Sequence, residues 1–300
     1  MIYTKSLKIA GIKRDWYHII EPSENELAGL SNQYNLDIEL LKDVMNPDEL
    51  SHFELIEQGI FIIARLATHS PHSRLNYNVV PLGIILVQDK ILTVCSKEVS
   101  VFDEHFRGPI LNTDSELAFI LSIMLRNSYE YLHFLKGLKK QIDDIEKTLH
   151  QTHSGNEIVG ILPINKSLQY YITALQSNDG LMEKLKRSRY WVWSEDEVSL
   201  LNDINVENKE ATEIATIYVR LLKTLIDVFG IVINNDLNSI MKKLASLALL
   251  IAIPTSIASI YGMNVDLPME HYGLAFPILM GIALSLTGIA IFILRKRKYF

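Results

Sequence analysis

The chain has 300 residues, with 29 Lys and Arg against 35 Asp and Glu, and a net charge of −6 at pH 7. That acidic balance argues against a nucleic-acid binder and suits the binding of cations. A single cysteine, Cys95, excludes an intramolecular disulfide and fits a reducing compartment.

Met1 to Ala10 alternates charged and apolar residues, so no signal peptide is expected. Apolar, β-branched runs predict strands near Ser6–Ile9, Trp16–Ile20, Phe53–Ile56, Ile60–Leu66, Val79–Val87 and Ile91–Cys95. Ser23, with Glu26 three residues on, reads as a capping box opening a helix, and a second short helix spans Asp37–Val44. Thr68 to Asn78 reads as a hairpin loop, and Gln88-Asp89-Lys90 as a tight turn. No Gly-rich phosphate loop, His-Glu-x-x-His or Gly-x-Ser-x-Gly occurs, so no enzyme is expected.

From Asp114 onward the pattern turns helical. One helix is expected from Ser115 to Leu149, capped by Asn112-Thr113-Asp114, and a second from Glu157 to Arg189 with Pro163 in an early turn. Ser194, with Glu197 in the capping-box position, then opens a helix with no convincing stop before Ile260. Unbroken, it is a rod of about 100 Å. Its stripe reads Val198, Leu201, Asn205, Asn208, Thr212, Ala215, Leu222, Ile226, Phe229 and Ile233. Such a stripe needs copies of itself, or the two preceding helices, to pack on.

Two uncharged apolar runs close the chain, Leu244 to Val265 and Tyr272 to Leu294, each about 22 residues long and sufficient to cross a bilayer. So short a connection makes them a hairpin. Lys242 and Lys243 precede the first run and Arg295 to Lys298 follow the second, whereas the connection carries Asp266 and Glu270 and no basic residue. The positive-inside rule places the connection outside and everything else in the cytoplasm, in a cell membrane. The basic tail anchors the second span at the anionic inner leaflet.

Tyr261-Gly262-Met263-Asn264 lies where the first run ends. Glycine and asparagine are favoured at helix C-caps, which is the plainest explanation for them. Upstream, Asn238, Met241, Leu244, Ala248, Ala252, Thr255 and Ser259 share one helical face, bulky and apolar at one end and small or hydroxylated at the other. Small residues on a membrane helix also mark helix–helix packing.

Together, Met241-Lys242-Lys243-Leu244, Pro254-Thr255 and Ile257 to Asn264, followed by a short acidic loop and a basic end, resemble the pore helix of CorA-type magnesium transporters, in the two-transmembrane Gly-x-Asn superfamily. The upstream order of α/β domain, helical pair and long stalk helix is similar too. The resemblance implies a homopentameric membrane channel, with a cytoplasmic α/β domain and a stalk continuing into a two-helix transmembrane hairpin. The resulting division is 1–112 (α/β domain), 113–193 (helical pair), 194–243 (stalk), 244–263 (pore-lining span), 264–271 (outer loop), 272–294 (second span) and 295–300 (basic tail).

By the resemblance, Tyr261, Gly262, Met263 and Asn264 form the selectivity filter, Met241 and Leu244 a hydrophobic constriction, and Asn238 an inner polar ring. Mg2+ holds its waters tightly, so a filter of neutral oxygens that hydrogen-bond the water shell suits it. The Gly-Met-Asn form favours Mg2+ and leaves Co2+ and Ni2+ open. The resemblance also implies regulatory Mg2+ on the cytoplasmic side, with Asp203 and Glu207 as candidate ligands, Asp196 and Glu197 next, and the partner carboxylate open among Asp89, Glu98, Asp103 and Glu104. Asp266 and Glu270 would draw divalent cations to the mouth. The alternatives are a zinc-transporting relative of the superfamily and a membrane-anchored oligomeric sensor or scaffold.

Overall fold

The computed structural model describes residues 2–9, 12–69, 77–103, 106, 108–151, 156–264 and 273–297. The chain divides into two compact units, Met1–Leu225 and Ile226–Phe300. In the first, all six expected strands form: β1 (Ile2–Ile9), β2 (Ile12–Ile20), β3 (His52–Ile56), β4 (Gly59–His69), β5 (Tyr77–Val87) and β6 (Lys90–Cys95). They make one sheet in the order β1-β2-β6-β5-β4-β3. Only β2 and β6 pair in parallel.

Both faces of the sheet are covered, which is why its central strands read as continuous apolar runs. Phe61, Ile63, Ile85 and Val94 pack under two short helices, α1 (Glu24–Tyr34) and α2 (Ile38–Asp43). Ser23 and Glu26 close the expected capping box on α1, and Asp37 accepts the Glu39 N–H at the start of α2. Ile62, Leu66, Leu82 and Ile84 on the opposite face pack against α3 (Glu116–Gln151), α4 (Asn156–Arg187) and the first turns of α5 (Glu195–Tyr261). The expected 68–78 loop lies mostly outside the described residues.

One local device ties helices to sheet. β3 stops pairing at His52↔Ile63, while β4 runs on to His69, so the far half of β4 has no strand on that side. Two asparagines stand in for it. Asn178 of α4 accepts the Arg65 N–H at 2.9 Å and donates to the Arg65 carbonyl at 2.8 Å. Asn127 of α3 accepts the Ala67 N–H at 3.0 Å and donates to the same carbonyl at 2.9 Å. Because both Arg65 groups point away from β5, its partner Pro81 owes β4 no N–H; on its other side Pro81 lies one residue beyond the last β5–β6 pair, Leu82↔Cys95, so the missing N–H breaks no ladder bond.

Two helical expectations shift in detail. The cap of α3 is Ser115, whose hydroxyl accepts the Ala118 N–H at 2.8 Å, while Asn112 is used on the Asp114 N–H instead. On α5 the capping box at Ser194 and Glu197 forms as expected. Its buried stripe, however, is Leu201, Ile204, Asn208, Ala211, Ala215 and Leu222, with Phe229 buried further on, whereas Asn205 and Ile226 are exposed and Thr212 is half-buried. The repeat alternates steps of three and four, which follows a seam of 3.5 residues per turn. Within the first unit that seam packs on α3 and α4 of the same chain.

The second unit holds the end of α5 and α6 (Ala275–Lys296), two helices long and apolar enough to cross a membrane. α6 begins at Ala275 rather than Tyr272, and Pro277 falls in its first turn, where no N–H is demanded. Only 6% of the most apolar window of either helix is buried.

Candidate functional site

Beyond Ile233, the more covered residues of α5 are Ser246, Leu250, Ile253, Ile257 and Tyr261, with Ser246 only 2% exposed. At about 100° per residue these fall on one face of the helix. Met241, Leu244, Ala248, Ala252, Thr255 and Ser259 are all exposed, Met241 and Leu244 at 62% each. The same arithmetic puts them about 180° away. The face singled out in the sequence is thus the one left open when α5 meets α6. Asn238, exposed as well, lies on its flank.

The chemistry of that face follows from its local bonds. Thr255 donates its hydroxyl to the Ile251 carbonyl at 2.8 Å, so only acceptor lone pairs remain for anything beside it. Acceptors are what the outward hydrogens of a cation's water shell require. At the other end, exposed Met241 and Leu244 offer no hydrogen bond.

α5 ends at Tyr261, after which the Gly262 N–H still bonds the Ala258 carbonyl at 3.0 Å and the Met263 N–H the Ile260 carbonyl at 3.4 Å. Neither Gly262 nor Asn264 takes the left-handed conformation that a C-cap glycine or asparagine uses. Capping preference therefore does not account for them. Gly262, Met263 and Asn264 are exposed. Tyr261 differs in continuing the α6-facing row; together with Gly262 it lines a cavity of about 390 Å³ with Pro254, Ile257, Phe276 and Met280. Asp266 and Glu270 lie outside the described residues.

In the first unit, Asp203 is exposed and Glu207 half-buried, one turn apart on α5. Tyr129 of α3 stands beside Glu207 and Asp203, and the Glu207 charge, first of these, raises the Tyr129 hydroxyl above the ordinary tyrosine range. Burial, followed by the charges of Glu210 and Asp203, holds the Glu207 carboxyl above the ordinary glutamate range. Glu197 is committed elsewhere, to its own helix start and to the Ser115 hydroxyl. Burial would raise its carboxyl, but those hydrogen bonds outweigh it and hold the group low. Asp196 is exposed in the first turn of α5.

The four carboxylates left open as partners separate. Asp89 stands in the β5–β6 turn, its side chain 96% exposed and 4.0 Å from Arg14. Glu98 and Asp103 instead line one cleft of about 860 Å³. Glu104 lies outside the described residues. The cleft also takes Glu21, His69, Glu130 and His133, which sequence reasoning missed because they come from three distant elements. Burial raises the Glu130 carboxyl there, against a hydrogen bond from Ser100. Among the described residues, no three His, Cys, Asp or Glu side chains converge closely enough to hold a metal directly.

The model of the family described as CorA-like Mg2+ transporter protein matches residues 13–296. The chain is similar to the cobalt/magnesium transport protein CorA of Methanocaldococcus jannaschii, 22% identical over 288 residues, covering 94% of this chain and 90% of that one. It is also similar to the protein of the same description from Thermotoga maritima, 19% identical over 267 residues, covering 87% and 76% respectively. In fold it resembles the complete structure of the CorA magnesium transporter from M. jannaschii, with a TM-score of 0.83 at 20% identity over 96% of this chain and 92% of that one.

Proposed function

Because the chain belongs to the CorA-like Mg2+ transporter family, we propose that it conducts hydrated divalent cations, Mg2+ foremost and Co2+ or Ni2+ besides, through a pore lined by α5 of several copies. The observation that carries this reading is the open face of α5, opposite α6, leading to exposed Gly262, Met263 and Asn264. Two helices cannot enclose a pore, so copies must close it, five of them by the family resemblance. The spans are 244–263 and 272–294, the loop 264–271 faces outside, and residues 1–243 with the basic tail 295–300 are cytoplasmic.

Each residue then has a task set by its chemistry. Asn264 amides and Gly262 carbonyls accept hydrogen bonds from the water shell, which Mg2+ surrenders reluctantly. Thr255 and Ser259 continue that acceptor lining. Met241 and Leu244 close the pore by dewetting when they approach one another, with Asn238 beyond them. Tyr261, on the α6-facing row, supports the filter rather than lining it. Asp266 and Glu270 raise the local cation concentration at the mouth. The inward membrane potential supplies about 4.6 kcal/mol per 100 mV for a doubly charged ion, so no ATP machinery is needed.

Asp203 and Glu207 are the proposed regulatory contacts for internal Mg2+. Two exposed or half-exposed carboxylates suit a cation that keeps most of its waters and touches protein through one or two carboxylates.

The experiment is Mg2+ flux by the purified protein in liposomes, with Co2+, Ni2+ and Zn2+ in competition and the assembled mass measured in detergent. A pentamer passing Mg2+ supports the proposal. A monomer, or an oligomer that passes no cation, favours the membrane-anchored scaffold, and preference for Zn2+ favours the zinc-transporting alternative.

A further inference from the structure

The buried seam of α5 contains one polar residue between Leu201 and Leu222 that is almost wholly enclosed: Asn208, 1% exposed. Ile204 and Ala211 flank it and are fully buried. An apolar residue would fill that place without needing any partner. Asn208 instead uses both ends of its amide on two different helices. Its oxygen accepts the Ser128 hydroxyl of α3 at 2.7 Å, and its nitrogen donates to Asp179 of α4 at 2.9 Å. The Asp179 carboxyl is half-buried, and burial raises it.

The neighbours of these three residues extend the layer in both directions. Asn127 precedes Ser128 and Asn178 precedes Asp179, and those two asparagines hold the Arg65 and Ala67 backbone of β4. Tyr129 follows Ser128 and Glu207 precedes Asn208, and those two also stand side by side, close enough for the Glu207 charge to act on the Tyr129 hydroxyl. Consecutive residues of α3 thus bind the sheet edge (Asn127), bind the buried side of α5 (Ser128) and lie beside Glu207 on its more open side (Tyr129). A polar side chain with two directional partners specifies one register in a helical seam, where apolar side chains alone tolerate several.

We propose that the Ser128–Asn208–Asp179 cluster is a register lock, which indexes α5 to α3, α4 and the open edge of β4 and thereby holds Glu207 and Asp203 beside Tyr129. Asn208 is a positioning residue: it touches no cation. Its consequence for regulation rests on the reading of Asp203 and Glu207 given above, but the lock itself does not.

The test uses the full-length protein in detergent or liposomes, with spin labels at Lys136→Cys on α3 and Glu213→Cys on α5. Both positions are exposed, and the native Cys95 is buried. The label-to-label distance distribution should be narrow in the otherwise native protein. In Asn208→Leu it should broaden at least twofold, although the transition temperature holds or rises. Asn208→Asp should broaden it too, because two carboxylates then face each other. Combining Asn208→Asp with Asp179→Asn restores an amide–carboxylate pair with the donor on the other side, and should narrow the distribution again. A narrow distribution in Asn208→Leu, or no recovery in the exchanged pair, overturns the lock. If Asn208→Leu fails to fold, the comparison of Asn208→Asp with the exchanged pair decides alone.

The same variants are then assayed for inhibition of flux by internal Mg2+. A half-inhibitory concentration raised at least tenfold in Asn208→Leu, and recovered in the exchanged pair, confirms that the lock serves regulation. Broadened distances with unchanged inhibition overturn that regulatory link and the assigned role of Asp203 and Glu207, while the lock itself stands.

Discussion

The two units of the chain treat their apolar residues in opposite ways. In the first, the sheet has helices on both faces and the α5 seam is fully buried between Leu201 and Leu222, so one copy closes its own core. In the second, only 6% of the most apolar window of either helix is buried, and bulky residues such as Phe276 and Leu284 stand open. The same helix, α5, takes part in both. Hydrophobic pattern alone therefore does not say what a helix packs on. The first part of α5 shows a 3.5-residue stripe with polar residues around it, as a helix on a protein core should. The latter part is apolar nearly all round, as expected of a helix meeting lipid and further copies.

That contrast separates stability, which rests on the core of the first unit, from the conduction proposed for the second. The largest expected effect is on conduction alone. Asn264→Ala should lower Mg2+ flux per assembled oligomer by more than about 100-fold, since a hydrogen bond to a charged species is worth about 1.5–3 kcal/mol and every copy loses one. The thermal transition of the first unit should not move. Asn264→Asp should bind cations more tightly and release them more slowly. Normal flux in both variants, measured in liposomes, breaks the assignment of the filter to Asn264.

The converse change is Asn178→Ala, which leaves the buried Arg65 N–H and the Ser51 hydroxyl without their acceptor. Unfolding should become easier by about 2–6 kcal/mol, at about 1–3 for each of the two orphaned groups. That is roughly 4–24 °C in transition temperature for a unit of this size. Flux per folded oligomer at low internal Mg2+ should be unchanged. A fall in flux without a fall in stability would mean that the two units are not separable in this way.

Next is regulation, the one property expected to depend on both. Asp203→Ala with Glu207→Ala should raise the half-inhibitory internal Mg2+ at least tenfold, about 1.4 kcal/mol of lost binding. Unchanged inhibition would return both residues to the solvated face of α5.

The smallest effect is one of pH. Glu207 is held above the ordinary glutamate range by burial first, then by Glu210 and Asp203. A raised carboxyl favours the folded state in its protonated form, so its own contribution to stability is greatest at low pH and is lost as pH rises through the raised value. Mg2+ needs the carboxylate, so the effect on inhibition has the opposite sign. Inhibition should weaken as the cytoplasmic-side pH falls from neutral through the raised value of the Glu207 carboxyl, and Glu207→Gln should remove that dependence. A dependence that survives the substitution would assign it to another group.

How much of this was legible in the sequence differs between the units for a physical reason. All six strands and both capping boxes, at Ser23 and Ser194, could be read because each signal lies within a few adjacent residues. The open face from Met241 to Ser259 was legible for the same reason: it is set by helical spacing along one element. The exact α5 stripe was not. Asn205 and Thr212 sit one position from Ile204 and Ala211, and only packing on two other helices selects the 3.5-residue repeat. The α3 cap was misplaced because Asn112, a good capping residue, serves Asp114 while Ser115 caps the helix. Tyr261 belongs to a four-residue motif, yet its helical position turns it toward α6. The cleft of Glu21, His69, Glu98 and Glu130 could not be read at all, since it forms only where the residues after β2 and β6 and the end of β4 come together beside α3.

The self-closed core of the first unit also has a consequence for how the protein is made. A chain grows at about 5–20 residues per second, so the residues after Leu225 take roughly 4–15 s to synthesise. A mixed α/β core folds on about the millisecond to second scale. Its last contribution, the α5 seam through Leu222, is already present before the first apolar run begins at Leu244. The spans are thus delivered to the insertion machinery attached to a body that has finished folding. Such a body cannot be threaded through a bilayer without being unfolded again, whereas the short connection between α5 and α6 can. Order of synthesis therefore favours leaving the first unit on the side where the ribosome works, in keeping with the orientation proposed from the basic residues at Lys242, Lys243 and Arg295.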